Sequence, residues 1–352
     1  MKQEIIDKIN RLANQDEPFL FVINYQGDKA FIRQLSDINP EECLFDFEGR
    51  GNSSDEMKNN SEKIAEISWQ IAPPLYEDYE RSFGIVKNNI MAGNSYLTNL
   101  TCKVPVSCNL SLEDIFHRAK GKYKLLLRRK RNLTPFVCFS PETFVRIKNG
   151  RIYSYPMKGT LDASLPDAEK QLMDDRKEAA EHATIVDLIR NDLSRVAENV
   201  RVDKYRYIDV LHTNKGDILQ TSSEISGRLP EDYRQHLGEI LDAQLPAGSI
   251  TGAPKDKTMQ IIHEAEGYDR GFYTGIMGIY DQGELNSAVM IRFVEEEASP
   301  SKTEKGKNPE VSRELYFKAG GGITSKSDCR KEYEEVIQKI YLPIQENPSS
   351  EY

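Results

Sequence analysis

The stretch Ser140–Thr160, SPETFVRIKNGRIYSYPMKGT, most narrows what this chain can fold into. Two runs of β-formers, Thr143–Ile147 and Arg151–Tyr155, flank Lys148-Asn149-Gly150. Asn-Gly accepts the left-handed backbone of a tight turn, so the pair predicts a hairpin. A hairpin brings its outer ends together, which can make neighbours of Glu142 and Lys158. Lys158 lies between Pro156 and Gly159, where side-chain cover is sparse and a substrate can approach. An acid and an amine presented together at an open hairpin end suit acid-assisted nucleophilic chemistry. The alternative is an exposed cross-strand ion pair worth under about 1 kcal/mol.

Further strand pairs recur along the chain. Phe19–Tyr25 and Ala30–Gln34 alternate around Gln26-Gly27-Asp28, and Val200–Val210 precedes Gly216–Arg228. Tyr273–Tyr280 and Leu285–Val294 form another pair around Asp281-Gln282-Gly283. Arg292 falls inside the apolar strand Ser287–Val294, a costly place unless a carboxylate meets it. GNSYLTNLTCKVPV reads as a strand entering the core, and Glu314–Ala319 returns to a turn at Gly320-Gly321-Gly322 where backbone can approach a ligand. Helical periodicity appears at the N-terminus, over Leu75–Met91 with Gly93 as its stop, over Asp167–Glu198, after Pro254, and over Asp328–Tyr341. The aromatic stripe Tyr76, Tyr79, Phe83 is read as core. Asn39–Ser61 is read as loop, Lys120–Asn132 with its seven basic residues as a solvated face, and Glu295–Arg313 as a loose hairpin tip. Strand pairs alternating with helices predict a large α+β sandwich.

With 352 residues, 38% hydrophobic and 29% charged, the chain describes a soluble globular protein. No apolar run approaches membrane-spanning length, and the charged amphipathic N-terminus has no signal-peptide core. Its five cysteines are odd in number and lack metal-ligand spacing, which points to reduced thiols in a cytoplasm. A net charge of −9 argues against nucleic acid as the main partner.

Two helical runs each carry glutamates three apart: Glu178 with Glu181, and Glu332 with Glu335. Such pairs share a helix face, and two of them together can cage one hard divalent cation. Pairs of this spacing are also common on ordinary surfaces. LPAGSITGAPK combines a small-residue turn with a helix start whose exposed N–H groups favour a bound anion. It reads equally well as a tight turn.

Six motifs in order, SPETF, PMKGT, EHATIVDLIRND, PAGSITGAPK, YTGIMGIY with Arg292, and AGGGITSKSDCRKEYEEV, resemble the chorismate-utilising enzymes. That family includes anthranilate, aminodeoxychorismate, isochorismate and salicylate synthases, and the resemblance covers roughly residues 90 to 340. It implies a layered α/β/β/α sandwich with two large, mainly antiparallel sheets. It also implies a short N-terminal region over residues 1–75, a catalytic domain over 76–345 and a disordered tail over 346–352. Glu181 and Glu335 match the principal Mg²⁺ ligands, with Glu178 and Glu332 in support. Gly159, Thr160, Thr251, Tyr273, Arg292, Gly320, Gly321 and Gly322 match substrate-binding positions. Lys158 points to the aminodeoxychorismate synthases, because anthranilate synthases carry alanine in this motif. In that branch the lysine is the nucleophile and Glu142 the general acid, chorismate and ammonia are the substrates, and the product serves 4-aminobenzoate and folate synthesis.

Two departures stand out. Gln220 occupies a place where many relatives carry histidine, which puts a histidine role in this site in question, and the N-terminal region is shorter than in the larger relatives. Leu97 replaces the base lysine of the isochorismate and salicylate synthases. No glutaminase signature is present, so ammonia is expected from a separate glutamine amidotransferase subunit. A lyase that releases 4-aminobenzoate is not expected in this chain. The competing expectations are an anthranilate synthase component and a non-catalytic regulatory homologue.

Overall fold

The computed structural model describes residues 1–53, 67–128, 133–213, 216–299 and 312–344. Its elements begin with α1 (Gln3–Asn14), β1 (Phe19–Ile23), β2 (Ala30–Gln34), β3 (Cys43–Phe47), β4 (Arg50–Gly51) and β5 (Trp69–Ile71). Next come α2 (Tyr76–Met91), β6 (Leu97–Cys108), α3 (Leu112–Arg118), β7 (Tyr123–Leu127), β8 (Phe136–Ser140), β9 (Thr143–Lys148), β10 (Arg151–Ser154) and β11 (Met157–Asp162). Then follow α4 (Ala168–Asp174), α5 (Arg176–Leu193), β12 (Glu198–Thr213), β13 (Gly216–Arg228), α6 (Leu237–Gln244) and β14 (Gly252–Ala253). Last are α7 (Lys255–Glu266), β15 (Ile276–Asp281), β16 (Glu284–Val289), β17 (Phe293–Ser299), β18 (Ser312–Ile323) and α8 (Cys329–Gln338).

The chain folds into two compact units, each assembled from three stretches. Met1–Asp37, Glu142–Lys255 and Arg270–Val289 form the first, and Ile38–Pro141, Asp256–Asp269 and Met290–Tyr352 the second. Residues 1–75 and 76–345 are thus both shared between the units. The tail beyond residue 344 lies outside the described residues.

The first unit carries an antiparallel sheet in the order β11-β13-β10-β9-β16-β15-β1-β2, with β12 on the other edge of β13. The Asn-Gly turn forms as its chemistry requires: Asn149 and Gly150 have φ of 51° and 69°, and Arg151 pairs with Lys148. β10 and β11 lie end to end along β13, Ser154 opposite Ile225 and Met157 opposite Ser222. Pro156, which has no N–H to give to a ladder, sits at the join. The helical run over Asp167–Glu198 is two helices. Asp175 has extended backbone between them, and its carboxylate accepts from the N–H groups of Lys177 and Glu178, an N-cap that starts α5 afresh.

The second unit carries the order β6-β18-β17-β8-β7-β3-β4, with β5 on the other edge of β6. Leu100, Val104, Val137, Phe139, Val294, Phe317 and Ala319 line one face of it. The stripe Tyr79, Phe83, Val86 and Ile90 of α2, with Ile115 of α3 and Val336 of α8, packs into the same core.

Several sequence expectations are corrected here. Asn39–Ser61 contains β3 and β4. The basic run contains buried β7, its Lys122, Lys124 and Arg128 paired with Glu48, Asp46 and Glu113; residues 129–132 lie outside the described residues. Glu295–Arg313 is not all hairpin tip, since Phe293–Ser299 pairs with Ser312–Lys318; residues 300–311 lie outside the described residues. The strand Ser287–Val294 is broken where the chain leaves the first unit, and Arg292 takes a left-handed φ of 56° between β16 and β17. Gly320–Gly322 is no turn: all three lie in β18, opposite Thr101, Leu100 and Asn99 of β6.

On the other face of the second sheet, Lys318 Nζ meets Glu295 Oε1 at 2.7 Å with their side chains only 1% and 6% exposed. Burial pushes the lysine down and the carboxyl up, and their mutual attraction opposes both shifts. Lys318→Met strands a buried carboxylate and is expected to cost about 3–5 kcal/mol. Lys318→Met combined with Glu295→Leu should recover most of that loss. Denaturant midpoints of the two variants check the pair, and equal destabilisation by both would contradict it.

Candidate active site

Within the first unit the site is built on β11. The Lys158 carbonyl accepts from Thr221 Oγ1 on β13, which fixes the strand at this residue. Gly159 has φ 82°, and a β-carbon there would stand 3.0 Å from Glu178 Oε2. The positive φ favours glycine here, since any side chain would be strained in that conformation. Lys158 Nζ pairs with Glu181 Oε2 at 2.9 Å, and Lys177 reaches the other oxygen of Glu181 at 3.7 Å. Burial raises the Glu178 carboxyl above the ordinary range; the Lys158 ammonium opposes this and the Glu181 charge adds to it.

Glu142 stands at the start of β9, its carbonyl accepting from the Val289 N–H at 3.2 Å. Its carboxylate accepts from Ser249 Oγ at 2.5 Å. Ser249 belongs to the PAGSITGAPK loop, where Gly248–Ile250 makes one 3₁₀ turn. That loop is tied to the end of α5 by Lys255, which pairs with Asp192 at 2.9 Å and donates to the Gln244 carbonyl at 2.9 Å. Gln244 Nε2 donates to the Asp192 carbonyl at 2.8 Å. The buried Arg270 donates to the Ile250 carbonyl at 3.0 Å and accepts the Tyr273 N–H on its own carbonyl. Tyr273 is itself buried. Thr251 is fully buried, and among the described residues its hydroxyl has no partner. Thr160 is exposed and lies opposite Gln220 on β13.

A histidine does enter this region, although not at Gln220. His182, beside Glu181 on α5, is fully buried with Nε2 2.6 Å from Ser223 Oγ. Burial, then the Arg206 guanidinium, pull its pKa down to about 4, with the Lys158 carbonyl opposing, so the ring is neutral at neutral pH.

Within the second unit, Glu332 and Glu335 lie on α8, whose first turn is capped by Asp328 accepting from the Lys331 N–H. Gly321 faces this helix: a β-carbon there would be 3.7 Å from Glu332 Oε2 and 3.8 Å from Lys339 Nζ. Lys339 Nζ pairs with Glu335 Oε1 at 2.7 Å and donates to the Gly320 carbonyl at 3.1 Å. Arg292 is half-buried with its guanidinium 5.7 Å from the Tyr341 ring, and among the described residues no carboxylate pairs with it. Leu97 opens β6 beside Gly322.

The residues that sequence reasoning missed are Ser249, His182, Asp192, Lys255 and Lys339. Lys339 was discernible, because it follows Glu335 by four on one helix face. The other four act across elements distant in sequence.

The family described as chorismate binding enzyme matches residues 13–345. The chain belongs to that family. As a chorismate-binding enzyme it is 46% identical over 343 residues to an uncharacterised PabA-like protein of Haemophilus influenzae, covering 97% of each chain. It is 30% identical over 282 residues to aminodeoxychorismate synthase component 1 of Salmonella typhimurium, covering 75% of this chain and 56% of that one. In fold it is similar to MenF, the menaquinone-specific isochorismate synthase of Escherichia coli, with a TM-score of 0.67 and 15% identity over 96% of this chain and 80% of that one. Two large antiparallel sheets with helices are the fold this family has, as the motifs led one to expect.

Four glutamates are hard oxygen donors of the kind Mg²⁺ takes. Glu181 and Glu335 each already accommodate a positive charge, the ammonium of Lys158 or Lys339. In kind each glutamate pair fits a divalent cation, although among the described residues no three acidic, histidine or cysteine side chains gather in one place.

Proposed function

We propose that this chorismate-binding enzyme aminates chorismate at C4, as an aminodeoxychorismate synthase component, for 4-aminobenzoate and folate synthesis. The observation that carries the reading is the primary amine of Lys158, held 2.9 Å from Glu181 on a strand whose next residue is a glycine at positive φ. A lysine at this place supplies a nucleophile that an alanine cannot.

The neutral amine of Lys158 adds through its nitrogen to C2, both ring double bonds shift along by one place, and the C4 hydroxyl leaves as water on taking a proton from Glu142, so the adduct nitrogen carries the positive charge and Glu142 becomes a carboxylate. Ammonia then attacks C4, both double bonds shift back, lysine departs as the neutral amine, and the new C4 ammonium returns a proton to the Glu142 carboxylate, leaving 4-amino-4-deoxychorismate. Ser249 orients the Glu142 carboxyl for the first proton transfer. Arg292, Thr160, Thr251, Tyr273 and the Gly320–Gly322 backbone are assigned to the substrate and its carboxylates, for which a guanidinium is the natural partner. Mg²⁺, held through Glu181 and Glu335 with Glu178 and Glu332 in support, would supply further positive charge against a carboxylate. A separate glutamine amidotransferase subunit would supply the ammonia.

Incubation of the purified chain with chorismate, Mg²⁺ and an ammonium salt is expected to yield 4-amino-4-deoxychorismate, read by chromatography and mass. Glutamine in place of ammonium should yield none. Anthranilate as the product would replace this reading with the anthranilate branch. Unchanged chorismate under all conditions would favour a non-catalytic homologue.

A further inference from the structure

Lys158 is braced from behind by hydrogen bonds that converge on one serine. His182 Nε2 lies 2.6 Å from Ser223 Oγ, and the same oxygen accepts from the Arg206 N–H at 2.9 Å. A hydroxyl has one proton and two lone pairs, so Ser223 can hold both groups at once whichever way its bond to Nε2 runs. The other ring nitrogen, Nδ1, is sealed from solvent. The Ser223 N–H donates to the Pro156 carbonyl at 3.0 Å, two residues ahead of Lys158. Thr221, on the same face of β13, holds the Lys158 carbonyl itself. Arg206 sits at an irregularity of β12, at φ 47°, and its guanidinium donates to the carbonyls of Leu172 and Met173 at the end of α4, each at 3.1 Å.

Helices α4 and α5 and strands β11, β12 and β13 therefore meet through Ser223 and its neighbours, and His182 is the link from α5. Its neighbour in sequence is Glu181, the partner of the Lys158 amine. A helix and a strand joined at this point keep amine and carboxylate in register; unjoined, α5 could turn or slide against the sheet by the fraction of an ångström that matters to a reacting group.

We propose that His182 is a positioning residue, which through Ser223 locks α5 to β13 and so sets the Lys158 amine against Glu181. The inference deepens the proposed reaction and rests on it for its kinetic consequences. The histidine is long enough to reach the strand from the helix. Glutamine, whose terminal amide can accept or donate at the place of Nε2, is the conservative replacement; leucine fills space without hydrogen bonding.

His182→Leu and Ser223→Ala are expected to lower kcat about 100-fold, with KM for chorismate within about threefold of wild type. His182→Gln should recover to within about tenfold of wild type. A second readout is independent of turnover: acetic anhydride labelling of Lys158, followed by peptide mass, should become several-fold faster in both disruptive variants and not in His182→Gln. Circular dichroism and Tm verify folding, and Ser223→Ala decides the matter should His182→Leu fail to fold. Wild-type kcat and wild-type labelling in Ser223→Ala would overturn the proposal, as would a loss in His182→Leu that glutamine leaves unrepaired. If wild type turns over no chorismate, the proposed reaction fails, and the labelling rates still decide whether His182 positions Lys158.

Discussion

Lys158→Ala is expected to reduce amination of chorismate by on the order of 10³-fold, about 4 kcal/mol of barrier, while leaving the fold intact. The pair it makes with Glu181 is partly exposed, at 37% and 23%, and such a pair contributes no more than about 1 kcal/mol. Tm should therefore hardly move. Substrate should still bind, since Arg292 and the Gly320–Gly322 backbone are assigned to its carboxylates without help from the amine. Residual amination should shift toward direct attack at C2, because the variant then has the alanine of the anthranilate branch. Lys158→Arg should not rescue, because a guanidinium stays protonated and has no free lone pair for attack. Wild type mixed with chorismate in the absence of ammonia should gain the mass of a substrate adduct on Lys158, and the alanine variant should not. Wild-type rates of 4-amino-4-deoxychorismate formation by Lys158→Ala, with no adduct on wild type, would remove the nucleophile role.

Glu181→Gln and Glu335→Gln are each expected to abolish Mg²⁺-dependent turnover, with a loss on the order of 10²-fold or more. The replacement keeps the side-chain shape and removes the charge that a hard cation needs. Neither glutamate is part of a hydrophobic core: Glu181 is 23% and Glu335 54% exposed, so stability should change little. Calorimetric titration with Mg²⁺ should show binding to wild type and weaker or no binding to either variant. Glu181→Gln has a second consequence, because it also frees the Lys158 amine from its carboxylate partner. Full activity of wild type in excess chelator would end the metal assignment. Loss of activity in the variants with unchanged Mg²⁺ binding would reassign the glutamates to the substrate.

The elements on which the candidate residues lie were largely legible in sequence, because the motifs that form them are short and local. The Asn149-Gly150 turn needs a left-handed pair that few residues tolerate, so the hairpin bearing Glu142 could be placed to within a residue or two. Glu178 and Glu181, or Glu332 and Glu335, share a face by helix geometry alone. The helix Tyr76–Met91 announced itself by a stripe of aromatic and aliphatic residues, which is where the core of the second unit lies. Where sequence reading failed, a local pattern met a tertiary demand. The apolar run through Arg292 looks like one strand, yet the chain leaves one unit for the other there and turns through φ 56°. Three glycines look like a turn, yet they run on as strand because β6 pairs with each of them.

By itself, then, the amino-acid sequence determined most of the elements that form, where acidic and amine side chains fall along them, and to which family the chain belongs. These follow from neighbours a few residues apart, whose propensities and spacing are written in order along the chain. Only the tertiary structure decided what each charged group meets. Lys158 pairs with Glu181 because β11 joins β13 with a shift of register between Met157 and Thr160 while α5 packs across it, and Ser249 reaches Glu142 across 107 residues of chain. The burial of His182 against Ser223, and of Lys255 against Asp192, depends on the same packing. Such partners are chosen by register and helix docking, which many distant contacts set together and no local pattern encodes.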